Sequence, residues 1–189
     1  MPSRLAWTTS AWLLLLACGC KERPKAPPLA NDTVYQNDKI GLRFLAPDQW
    51  SVSSRAELPP GALPKPVILV AYQSGKGDST SELEVLVADL AADADLGRFL
   101  ADHRIGAAGW TIKSAAETVT INGAEATRLF QMRVDKGSKG SKGKGEIRRE
   151  ATAFRRGGRV YFFIITFVAG DGLARDAARQ SVQSVTWSR

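Results

Sequence analysis

Cysteine is nearly absent from this sequence. Of its 189 residues only two are cysteines, and both lie near the N-terminus, at Cys18 and Cys20. Residues 21–189 contain no thiol, which excludes a disulfide framework and a cysteine-ligated zinc site from that part of the chain. A bridge between Cys18 and Cys20 would close a very small and strained ring. The two thiols therefore need an explanation other than a structural disulfide.

Histidine is equally scarce, since His103 is the only one. A catalytic triad or a histidine-based metal site could use it, but no second imidazole is available and the chain contains no G-x-S-x-G nucleophile elbow. His103 continues the apolar stripe of Leu96 and Leu100 on a predicted helix, which favours a side chain at the boundary of the core. We expect no catalytic residue, no metal and no cofactor, and a hydrolase that uses His103 remains an alternative.

Long apolar runs are absent as well. The stretch from Leu5 to Ala17 is broken by polar residues, and its uninterrupted part is residues 11–17. A helical membrane span needs about 20 apolar residues, so this stretch is too short to cross a bilayer and remain there. Arg4 gives it a positive start. A short apolar core behind a positive charge is typical of a secretory signal peptide.

The signal ends in Leu15-Leu16-Ala17-Cys18. This ending resembles the bacterial lipobox, in which leucine stands at position −3, a small residue at −1, and cysteine follows. The resemblance implies that residues 1–17 are a lipoprotein signal peptide and that acyl chains such as palmitate are attached at Cys18. Cys20 is the alternative acceptor, but Ala17 would then occupy position −3 and match less well. An ordinary cleaved signal with incidental cysteines is the other alternative.

The segment behind the cysteine is rich in proline and mixed charges and poor in apolar residues. Such a composition does not favour packing into a core. We interpret residues 18–33 as the acylated cysteine with a flexible tether, and residues 34–189 as one folded domain. Two or three acyl chains anchor a protein stably to a bilayer. We therefore expect the protein at the bacterial cell membrane or outer membrane, with its domain on the extracytoplasmic side, as in the periplasm.

Strand signals dominate the domain. In Glu82–Asp89 every second residue is apolar, which predicts a half-buried strand. In Ala124–Val134 the same period places Phe130 and Met132 on one face and Gln131 on the other. The first strand is therefore expected to bury the face of Leu83, Val85 and Val87.

The remaining patterns predict how the strands are joined and covered. Asn122-Gly123 is a strong signal for a type I′ hairpin turn. The run Val160–Val168 is apolar on both faces, which predicts a central strand with a layer on each side. Asp95 and Asp171 can each cap a helix. Together these features predict an α+β fold, a mainly antiparallel sheet flanked by about two helices.

Three short motifs resemble the Mog1/PsbP-like family. Residues 41–50 resemble its opening strand and P-x-x-W turn, residues 119–126 resemble its central hairpin, and Tyr161–Phe167 resembles its aromatic strand before the last helix. The resemblance implies an α/β/α layered domain over about residues 34–187. It also implies a role as a non-catalytic partner, as in a small-GTPase cofactor and a photosystem subunit, and it carries over no catalytic residues.

A basic loop is the most distinctive feature of the domain, in a chain of net charge +7. Residues 136–145 contain lysine, glycine and serine only, and Arg148 and Arg149 follow two residues later. The candidate anion-binding residues are Lys136, Lys139, Lys142, Lys144, Arg148 and Arg149. Such a loop can attract anionic lipid or an anionic polymer, at about 1 kcal/mol per lysine near a charged membrane. The alternative is a solvated hairpin loop. Nucleic acid is not an expected partner, because no aromatic residue interleaves with the lysines.

These features predict a lipid-anchored cell-envelope protein that is not an enzyme. Its expected partners are the membrane, through the N-terminal lipid, and an unidentified envelope protein that it binds or helps to assemble. The alternative is a binding module for an anionic polymer or lipid that acts through residues 136–149.

Overall fold

The computed structural model describes residues 33–75, 80–101, 109–134 and 145–188. The predicted signal peptide and nearly all of the tether lie outside these ranges. The described strands are β1 (Val34–Asn37), β2 (Leu42–Leu45), β3 (Ser51–Arg55), β4 (Val67–Ser74), β5 (Ser81–Asp89), β6 (Thr111–Ile112), β7 (Glu117–Ile121), β8 (Ala124–Val134), β9 (Glu146–Arg156), β10 (Arg159–Val168) and β11 (Thr186–Trp187). The described helices are α1 (Leu96–Ala101) and α2 (Gly172–Gln183).

The strands form two antiparallel sheets. The larger has eight strands, in the order β3-β4-β5-β10-β9-β8-β6, with β7 paired to the part of β8 that β6 leaves free. The smaller has three strands, in the order β1-β2-β11. The α+β prediction is confirmed in its coarse form, as a mostly antiparallel structure with two short helices. The separate small sheet is a feature that the strand patterns did not predict.

Strand β10 lies in the middle of the large sheet and is buried on both faces, as its composition predicted. Phe163 and Ile165 point to one face, which we call the front face, and Phe162 and Ile164 point to the back face. All four side chains are at most 1% exposed. The apolar residues of β10 thus belong to two separate cores.

The front face is covered by α2 and the small sheet. Asp171 caps α2 by accepting a hydrogen bond from the backbone N–H of Ala174 at 3.1 Å. Ala174 and Ala178 are buried against the sheet, and their small side chains let the helix lie close to it. From the small sheet, the ring of Phe44 meets the ring of Phe163 edge-on, with 5.2 Å between centroids.

The back face is covered by α1, which begins where the sequence predicted. The Asp95 carboxylate accepts a hydrogen bond from the backbone N–H of Arg98 at 3.0 Å, an N-terminal cap. Leu96 and Leu100 are buried among the back-face residues. The ring of Phe99 stacks on that of Phe162 at 5.4 Å. Among the described residues no helix is long and apolar enough to cross a membrane.

The predicted Asn122-Gly123 turn joins β7 to β8, and both residues have positive φ, at 47° and 79°. The Asn122 amide also donates hydrogen bonds to the carbonyls of Gln183 at 2.8 Å and Val185 at 3.0 Å. These carbonyls lie at the C-terminal end of α2, where the helix leaves acceptors without internal partners. The turn therefore fastens the β7–β8 hairpin to the last turn of the helix.

Replacing Asn122 separates its role in the turn, at positive φ, from its hydrogen bonds to the end of α2. We expect Asn122→Ala to lower the free energy of unfolding by about 2 kcal/mol, because it removes two hydrogen bonds and places alanine at positive φ. Asn122→Gly is the matched control, since it removes the same bonds but tolerates the backbone conformation. Urea unfolding measures both variants. An equal loss in the two would show that backbone conformation contributes nothing at this position.

Candidate binding cleft

The apolar side of β8 is the side that the structure leaves partly open. Leu129 and Gln131 are buried on the back face, whereas Phe130 and Met132 on the front face are half-buried and Val134 is 55% exposed. Phe130 and Met132 share a face, as the sequence pattern predicted, but that face is only partly covered. The cause is the position of α2, which packs mainly on β10, β2 and β5.

A cleft of about 410 Å³ results between the front of β8 and β9 and the first turns of α2. Its floor is apolar and comes from Phe130, Met132 and Phe167. Its rim is charged and comes from Lys113, Glu146, Arg148, Glu150, Arg175 and Arg179, and Gln131 and Arg149 complete the lining. Four of these six rim residues are cations, so the cleft combines an apolar floor with a predominantly positive rim.

Glu150 joins the cleft to α2 through a buried ion pair. Its side chain is 3% exposed, and both carboxylate oxygens receive bonds from Arg179, the shortest at 2.7 Å. Arg128 approaches the same carboxylate at 3.4 Å and pairs with Glu117 at 3.2 Å. A carboxylate buried in this way requires such partners, because an unpaired buried charge is strongly unfavourable.

The other rim cations are held only weakly. Arg148 pairs with Glu146 at 2.7 Å and Arg175 with Asp176 at 2.9 Å, but the four side chains are all at least 36% exposed. Lys113 makes no ion pair with any residue in the described ranges. Exposed pairs contribute little free energy, so these cations can exchange their present partners for others.

Arg148 and Arg149, which the sequence grouped with the basic loop, both border the cleft, but their side chains leave opposite faces of β9. Successive strand residues point to opposite faces, so Arg148 lies on the cleft rim while Arg149 is 4% exposed on the back face. The guanidinium of Arg149 lies over the ring of Trp110 at 4.0 Å, and Arg133 lies over the same ring at 5.0 Å. Anion binding by the group stays a prediction.

The remaining candidates of the sequence lie outside the described residues. They are Cys18, Cys20, His103, Lys136, Lys139, Lys142 and Lys144. Within the described residues, no group of three or more histidine, cysteine, aspartate or glutamate side chains is placed to hold a metal ion.

The back face carries a polar row that the sequence did not reveal. Glu82, Thr166, Arg149 and Gln131 lie side by side in register across β5, β10, β9 and β8. Gln131 is 2% exposed, and neither of its amide atoms has a hydrogen-bond partner among the residues that the structure describes. Strand alternation assigns these polar residues to a solvated face. Only the covering by other elements, Trp110 among them, shows that Arg149 and Gln131 are buried.

Burial shifts the pKa values of two charged residues on the back face, Arg149 and Glu84. It lowers the pKa of Arg149 to about 10, although the neighbouring Glu84 opposes that change. Burial also raises the pKa of Glu84, and the charge of Glu82 raises it further, while Arg149 acts in the opposite direction. The ionised form of Glu84 is therefore less favourable in the folded protein than in the unfolded chain.

The Glu150–Arg179 pair is expected to be stabilising only while both partners are present. Arg179→Met leaves a buried carboxylate, so we expect the free energy of unfolding to fall by about 2 kcal/mol, with part of it regained in Glu150→Gln/Arg179→Met. Arg175→Met is the matched control, because its exposed pair should contribute no more than about 0.5 kcal/mol. Urea unfolding of the four proteins tests this, and equal losses in the two single variants would contradict it.

The raised pKa of Glu84 predicts how the free energy of unfolding depends on pH. Because its pKa is raised above the ordinary 4.5, the folded state holds its proton at pH values where the unfolded chain has lost it. The contribution of Glu84 to stability therefore falls as pH rises from about 4.5 through the folded pKa, and then stays constant. Glu84→Gln should gain stability relative to the wild type across that interval. Urea unfolding between pH 4.5 and 8 measures the difference, and a difference independent of pH would contradict the assignment.

Comparison with known proteins identifies the fold. The chain matches no protein-family profile and no curated protein sequence. The crystal structure of PA94, a protein of unknown function from Pseudomonas aeruginosa, aligns with 83% of this chain and 97% of its own, at a TM-score of 0.45 and 14% identity. The solution structure of cyanobacterial PsbP (CyanoP) from Synechocystis sp. PCC 6803 aligns with 86% of this chain and 97% of its own, at a TM-score of 0.55 and 16% identity. The likeness to CyanoP shows that this chain has a PsbP-like fold, as the sequence motifs predicted.

Proposed function

We propose that this protein is a lipid-anchored, non-catalytic domain of the bacterial cell envelope that binds a partner protein through the cleft. The observation that carries the proposal is the half-open apolar floor of Phe130, Met132 and Phe167 inside a rim of exchangeable charges. An apolar centre within a polar rim is the usual anatomy of a protein interface.

The non-catalytic role is supported by the chemistry of the cleft. Its described lining includes no serine, threonine, cysteine or histidine, so it offers no hydroxyl or thiol nucleophile with an adjacent base. Its most buried acid, Glu150, is occupied by Arg179 and Arg128. The PsbP-like fold agrees with this role, because the Mog1/PsbP-like resemblance implies partner binding and not catalysis.

The lipid anchor is supported by the order of the N-terminal features. Arg4, the apolar stretch, the lipobox-like ending at Cys18 and the proline-rich segment up to residue 33 follow one another as they do in bacterial lipoproteins. An acylated Cys18 would hold the domain at a membrane surface and so raise its effective concentration for envelope partners.

Acylation at Cys18 is directly testable. In the native host grown with an alkyne analogue of palmitate, we expect the wild-type protein and Cys20→Ser to carry the label and to partition into detergent. Cys18→Ser should lose both properties and keep its signal peptide. Mass spectrometry of the N-terminal peptide identifies the modified residue. Label that survives in Cys18→Ser and disappears in Cys20→Ser would assign the anchor to Cys20. A full-length wild-type chain without modification would reject the lipid anchor.

The second candidate function, anionic polymer or lipid binding through residues 136–149, is favoured by the position of Arg148. This residue stands on the cleft rim beside the point where the basic loop joins β9. Replacing Lys136, Lys139, Lys142 and Lys144 by glutamine should then abolish binding to vesicles that contain anionic lipid at low salt. Vesicle binding that is unchanged by this replacement would reject the second candidate.

A further inference from the structure

We propose that the cleft receives an acidic segment of the partner protein, in which carboxylates flank a large apolar side chain. This inference rests on the proposed function and names the chemistry of the partner. Its observations are the arrangement of the rim cations, the weakness of their present ion pairs and the apolar floor between them.

The floor determines the central contact. Phe130 and Met132 come from β8 and Phe167 from β10, and together they present aromatic and thioether surface within a volume of about 410 Å³. That volume lies within the range of binding pockets for small ligands, so it can accept one or two large side chains. Methionine adapts its shape to different apolar partners, which suits a floor that is open before the partner arrives.

The rim determines the charge of the partner. Lys113 follows β6, Arg148 belongs to β9 and Arg175 to α2, so the three cations surround the floor on three different elements. The carboxylates of the rim neutralise the charge of these cations only in part. Glu150 is already paired with Arg179 and Arg128, and Glu146 is exposed to solvent. Charge complementarity therefore favours a partner segment with several carboxylates.

The spacing of the charges favours a protein segment over a lipid headgroup. A phosphate concentrates its charge at one point, where Arg or Lys side chains converge on it. Here the cations are dispersed around the floor, and Glu146 stands beside Arg148 at 2.7 Å, where it would repel a phosphate. A polypeptide can place a separate carboxylate at each cation. Its backbone N–H groups can also donate a hydrogen bond to the carboxylate of Glu146.

The experiment uses the full acylated chain in detergent micelles and a phage-displayed library of random dodecapeptides as the probe. The test variant is Arg148→Glu/Arg175→Glu, which reverses two rim charges. The matched control is Lys65→Glu/Arg98→Glu, which makes the same charge change at exposed positions outside the cleft. Circular dichroism confirms that both variants fold, and Arg148→Gln/Arg175→Gln replaces the test variant should it not fold.

We expect selection on the wild type to enrich peptides in which aspartate or glutamate flanks phenylalanine, leucine, isoleucine or methionine. Synthetic copies should bind the test variant at least about tenfold more weakly than the wild type or the control, and less tightly at higher salt. Met132→Ser should weaken the same peptides. Enriched peptides that are neutral or basic, equal affinity for the test variant and the wild type, or no enrichment would overturn the proposal.

Cross-linking in the native host separates failure of this inference from failure of the proposed function. A photoreactive amino acid is placed at Met132 in the cleft and at Lys65 outside it. Adducts at Met132 with an acidic protein segment, lost in the Arg148→Glu/Arg175→Glu background, support the inference. Adducts with lipid or with a basic segment overturn it. A stoichiometric protein partner that cross-links only at Lys65 would overturn the inference while leaving a non-catalytic binding role in place.

Discussion

The fold depends on the burial of β10 from both sides. Its apolar residues alternate between two faces, and each face must be removed from water by a separate layer. On the front this requires α2 and the small sheet, whose Phe44 packs on Phe163. On the back it requires α1, whose Leu96 and Leu100 complete a second core.

The cleft is a consequence of the same constraint. A single helix of twelve residues covers only part of a wide sheet, and α2 lies over β10 and β5. The front of β8 is then left outside the helix, with its apolar residues half-buried. The Glu150–Arg179 pair fixes the edge of the helix against β9 and so defines the wall of the opening.

The back face shows a different solution, in which polar residues are buried and not left open. Arg149 and Glu84 lie close enough to influence each other's ionisation, and Trp110 covers the guanidinium. Buried charges that are paired in this way rarely add net stability compared with apolar residues of similar volume. The two faces of the sheet thus depart in opposite ways from simple amphipathic design, with partly exposed apolar residues on the front and buried polar residues on the back.

Local sequence determined the elements of this protein. The cap at Asp95, the cap at Asp171 and the Asn122-Gly123 turn are read from a few adjacent residues, because the hydrogen bonds and backbone angles involved are local. Tertiary structure alone decided which face of β8 is covered and that Arg149 and Gln131 are buried. Strand alternation states which side chains share a face, but the side on which a helix packs depends on residues distant in sequence.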